Sequence, residues 1–103
     1  MLLRHTTLIR NLPAIMRQGL LCSRSQGKRK VVWLHAAVKN WWAAVHVSWR
    51  HGSRIEGVLT LEVEVPRSWL RRSRKGLWYS TRDIPAGRIR RLFGFVELAR
   101  DAG

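Results

Sequence analysis

Cys22 is the only cysteine in 103 residues. That count excludes an intrachain disulfide, and with it a small secreted scaffold held together by cross-links. Acidic residues are almost as scarce: the first is Glu56, so residues 1 to 55 carry ten cations and no carboxylate. Long apolar runs are missing too. The first thirty residues break every apolar stretch with Arg, Asn, Pro or Gln, leaving no 7-to-15-residue apolar core for a secretory signal. The most apolar window, residues 31 to 49, holds Lys39 and Asn40 at its middle together with His35 and His46. One central lysine costs about 2.5 to 3.5 kcal/mol in a bilayer, so a membrane partner is not expected. The short paired His and Cys spacings of zinc sites are also absent, and neither a metal nor a cofactor is expected.

What is present is positive charge. Twenty Lys and Arg stand against six Asp and Glu, a net charge of +14. Such an imbalance repels itself in a compact chain and calls for a polyanion or an acidic protein partner. The lone thiol fits a reducing, intracellular compartment. That means the cytoplasm for a bacterial or phage protein and the mitochondrion for a eukaryotic one.

The length suits one small domain with a thin core. Residues 1 to 30 separate from the remainder on charge. Arg10, Arg17 and Arg24 recur seven apart, while Leu8, Leu12, Ile15, Met16 and Leu20 gather on another helical face. This composition suits a basic arm or a presequence-like targeting segment. The folded domain is then expected over 31 to 103.

Within it, Ala43, Val45, Val47 and Trp49 recur at every second position, and Ile55, Leu59, Leu61, Val63 and Val65 keep the same parity. With "RHGSR" between them, the pattern predicts a β-hairpin pairing Trp49 with Ile55 and Ala43 with Leu61. Pro66 ends the second strand, and "LWYST" at 77 to 81 supplies a third. Asp83 and Pro85 resemble a helix start, followed by Ile89, Leu92, Phe93 and Val96 at helical spacing. The expected fold is therefore α+β: a small antiparallel sheet, a hairpin plus about one further strand, with a C-terminal helix on one face and a basic N-terminal arm.

No complete catalytic motif appears. Glu56, Glu62 and Glu64 alternate along one strand face, which solvent exposure explains. The segment "WLRRSRKGLWYS" at 69 to 80 instead interleaves cations with aromatic rings. Arginine and lysine neutralise phosphates with release of counterions, and aromatic faces stack on unpaired bases. The candidate nucleic-acid-binding residues are Lys28, Arg29, Lys30, Arg67, Arg71, Arg72, Arg74, Lys75, Trp78, Tyr79 and Arg82. Trp33, Trp41, Trp49 and one of Trp69 and Trp78 are expected in the core. The sequence thus points to a non-catalytic nucleic-acid-binding accessory protein, directed to RNA or single strands. Two alternatives stay open. One is a protein-interaction subunit of a larger, ribonucleoprotein-like assembly, exposing Trp33, Trp41 or Trp42. The other is a metal-independent ribonuclease using Tyr79, Arg82, His51 and Lys75.

Overall fold

The computed structural model describes residues 1 to 25 and 27 to 94. Six strands form one antiparallel sheet: β1 (Leu2–Leu8), β2 (Val32–His35), β3 (Val58–Glu64), β4 (Leu70–Arg74), β5 (Leu77–Ser80) and β6 (Ile89–Phe93). Across the sheet the order is β4-β5-β2-β1-β3-β6. Two helices, α1 (Leu12–Gln18) and α2 (Asn40–Arg50), cover opposite faces. Neither is long and apolar enough to cross a membrane.

This architecture corrects the expected fold in three places. The basic N-terminal arm contains a central strand. β1 pairs with β3 along its whole length, from Leu2 opposite Glu64 to Leu8 opposite Val58. Its outward polar groups find partners inside the sheet, where Arg4 Nη2 meets Glu62 Oε2 at 3.4 Å and Thr6 Oγ1 lies 2.9 Å from Thr60 Oγ1.

The first arm of the expected hairpin is helical. Asn40, Ala43, Ala44 and Ser48 are buried, and Val47 packs beside them. These positions fall at i, i+3, i+4, i+7 and i+8, one helical stripe made of small residues. The large apolar residues Trp41, Trp42, Val45 and Trp49 face outward instead. The period-two alternation from Ala43 to Trp49 therefore cuts across two helix faces rather than marking one strand face.

The third correction concerns the expected C-terminal helix. Its start is a short 3-10 turn (Ala86–Arg88) that leads into edge strand β6. β6 pairs with β3, setting Leu92 opposite Leu61 and Phe93 opposite Thr60. Val96 and the remainder of that expected helix lie outside the described residues.

The main core lies between the sheet and α1. Leu3, Leu34, Leu59, Leu61 and Val63 meet Ile15, Leu20 and Ile84 there. Pro13 sits in the first turn of α1, where a missing N–H costs nothing. Gly19 ends the helix at φ 80°, and Leu20 and Ile84 then exchange backbone hydrogen bonds of 2.8 and 2.9 Å. On the other face Leu8, Ala44, Val58 and Phe93 form a smaller cluster under α2. α2 packs on β1 and β3 and beside Phe93 of β6, and among the described residues no helix packs on the β2-β5-β4 side of that face.

Candidate nucleic-acid interface

Register decides which of the interleaved cations and rings can act together, because residues opposite each other across a ladder share a face. Trp33 on β2 pairs with Tyr79 on β5, which pairs with Arg71 on β4. These three project on the open half of the sheet. The rings of Trp33 and Tyr79 lie 5.4 Å apart at 59°, and the Arg29 guanidinium sits 5.0 Å from the Tyr79 ring centre. Trp33 is 40% exposed.

A β-bulge extends this row. Between Arg72 and Arg74 the register slips, so Arg74 stands opposite Leu77. Since Leu77 shares the face of Tyr79, the extra residue Ser73 brings Arg74 round to join Arg71. A regular strand would have pointed Arg72 and Arg74 to the other face together.

Trp78 goes the other way. It pairs with Leu34 and packs against the main core, with the Arg72 guanidinium 5.6 Å from its ring centre. Of the two rings proposed for stacking, Tyr79 is on the open face and Trp78, partly buried, packs against the core on the other. Arg82 and Arg88 both cover Trp69, at 5.8 and 5.0 Å, and Arg67 is exposed in the 3-10 turn Arg67–Trp69. Lys28 and Lys30 flank Arg29 in the exposed connection ahead of β2, where Lys30 Nζ donates to the Ser25 carbonyl at 2.8 Å. Lys75 is exposed in the β4–β5 turn. The structure thus gathers Arg29, Arg71, Arg74 and Tyr79 on one surface and places Trp78, Arg72 and Arg82 elsewhere.

Trp33, expected in the core together with Trp41 and Trp49, is exposed as they are. Its neighbours Val32 and Leu34 are buried and Trp33 between them is exposed, an alternation visible in "VVWLH" once those residues are read as a strand.

No family model matches the chain. No curated protein is significantly similar to it either. The interface therefore rests on its own geometry.

Behind it, a buried chain of hydrogen bonds joins three strands. His35 Nδ1 faces the Ala36 carbonyl at 3.0 Å, so that nitrogen carries the proton and donates. His35 Nε2 then accepts from the Thr6 hydroxyl at 2.8 Å, and Thr6 Oγ1 accepts from Thr60. Burial lowers the His35 pKa to about 4, which keeps the imidazole neutral. Burial likewise lowers His5, whose Nδ1 donates to the Trp33 carbonyl at 2.7 Å and fixes the backbone beneath the exposed ring. Among the described residues no group of His, Cys, Asp and Glu could hold a metal ion.

Proposed function

We propose that the chain is a non-catalytic nucleic-acid-binding accessory protein that holds single strands, RNA foremost, on the open half of its sheet. One observation carries this reading: the paired Trp33 and Tyr79 rings stand on a sheet face that no described helix covers, bordered by Arg29, Arg71 and Arg74. A flat sheet offering adjacent rings suits unstacked bases, while arginines beside them meet the backbone phosphates. Duplexes present no free base faces to such a surface. Fluorescence anisotropy with labelled single-stranded and duplex RNA of one sequence tests the reading. Single strands should bind at least tenfold more tightly, and Trp33→Ala or Tyr79→Ala should each weaken binding roughly tenfold. Equal affinity for duplex and single strand, untouched by both substitutions, would refute it.

The outer face of α2 favours a second reading, a subunit that docks on a protein within a larger assembly. Trp42, Val45 and Trp49 are 48%, 44% and 85% exposed along one side of the helix. Adjacent apolar side chains of this size are commonly covered by a partner. Recovery of one defined protein that withstands nuclease, and its loss on Trp49→Ser with Trp42→Ser, would support this reading.

A further inference from the structure

Trp33 and Tyr79 have a counterpart on α2. Trp42 and His46 sit one helical turn apart there, and their rings stack almost parallel, with centres 5.2 Å apart and planes inclined at 9°. The Lys39 ammonium lies 5.8 Å from the centre of the Trp42 ring. Both rings are exposed, Trp42 to 48%. Two adjoining rings with a cation beside them repeat the composition of the Trp33, Tyr79 and Arg29 group.

The fold ties this second group to the first. The Ala36 amide, just ahead of α2, donates to the Gly76 carbonyl in the β4–β5 turn at 2.9 Å. Lys39 then lies against the same turn, where a Cβ on Gly76 would come within 3.2 Å of the lysine stem. From Gly76 the chain enters β5 at Leu77, and Tyr79 follows on the same face about 7 Å along the strand. Trp42 and His46 accordingly border the same space as Trp33, Leu77 and Arg74. Val45 and Trp49, on the outer face of α2, stay with the protein-docking reading. Among the described residues the ion pairs are Met1 with Glu64 and Arg4 with Glu62, so Lys39 has no described carboxylate to neutralise it.

We infer that Lys39, Trp42 and His46 form a second stacking platform for the same single strand, which continues from the sheet past the β4–β5 turn onto the flank of α2. The inference rests on the nucleic-acid reading and adds the path of its strand. A base adds to the exposed Trp42–His46 stack as one more flat ring, and Lys39 stands beside that stack to meet a backbone phosphate.

Fluorescence anisotropy on the full chain, with labelled single-stranded RNA of about four and about twelve nucleotides, tests this path; both lengths fall within the range of single-strand sites. The shorter strand occupies the sheet, where arginines border the rings, and the longer one reaches both platforms. Trp42→Ala should weaken the longer RNA at least about fivefold and leave the shorter within about twofold, whereas Trp33→Ala should weaken both. Lys39→Gln should make the logarithmic salt slope for the longer RNA shallower by about 0.7, the share of one phosphate. An unchanged thermal midpoint verifies that each variant folds. Trp42→Ala and Lys39→Gln variants that bind the longer RNA as the parent does, while Trp33→Ala weakens it, would overturn the second platform and leave the sheet reading standing. Equal losses at both lengths on Trp42→Ala would overturn the proposed path. A parent chain that binds neither RNA would overturn the sheet reading and the path together.

Discussion

Neighbouring residues in the segment 77 to 80 have opposite fates, and the difference is measurable. Trp78 packs on the core while Tyr79 stands on the open face. Trp78→Ala should therefore destabilise the fold by about 3 kcal/mol or more, whereas Tyr79→Ala should cost mainly affinity; paired urea titrations and binding curves distinguish them. Sequence alone establishes that the two rings point apart but not which faces outward, because that choice depends on pairing with β2. A second residue-scale prediction concerns His35. Its pKa is about 4 in the folded chain against roughly 6.5 when unfolded. Between those values the unfolded chain takes up a proton that the folded chain refuses. Stability is thus complete above about pH 6.5 and is lost as the pH falls toward 4, by on the order of 3 kcal/mol. His5 acts in the same direction. Denaturant midpoints measured from pH 7.5 to 4 should show this acid limb, and His35→Gln should flatten it even where it lowers stability at neutral pH.

Whole elements were legible where apolar residues faced inward and misleading where they did not. β3 and β5 carry their large apolar or aromatic residues as strands should, and the expected second and third strands coincide with them. α2 reverses the rule: alanines and a serine lie beneath it and tryptophans outside. Substitution should expose the inversion. Trp49→Ser should alter stability by no more than about 0.5 kcal/mol, while Ala44→Leu, at a position 1% exposed, should cost about 1 to 3 kcal/mol by overpacking. Thermal denaturation of both variants checks the contrast. The link between α1 and the sheet turns on Gly19. A Cβ there would press into the Ile84 carbonyl, and its φ of +80° disfavours any other residue. Gly19→Ala should lose at least about 2 kcal/mol, with Gly87→Ala, which meets nothing within 4 Å, as the neutral comparison.

On the scale of the molecule, composition reveals the excess of positive charge but not how it is divided over the surface. Six cations between Arg67 and Arg82 look like one strip in the sequence, yet the pleat and the bulge distribute them over two faces. Six phosphate contacts at once would give a logarithmic salt slope near −5 for a duplex. The three or four cations that border Trp33 and Tyr79 give about −2 to −3 for a single strand, at roughly 0.7 per phosphate, and titrations at several salt concentrations decide between the two values. β1 stayed hidden because its interior positions hold His5 and Thr6, partnered by residues 28 and 54 positions away. No local pattern announces such partners. The solitary pair between β1 and β2 also divides the sheet into two three-stranded halves, β4-β5-β2 and β1-β3-β6. Cooperative opening follows such weak seams, so amide hydrogens in the two halves should exchange with deuterium as separate classes, each with its own opening free energy.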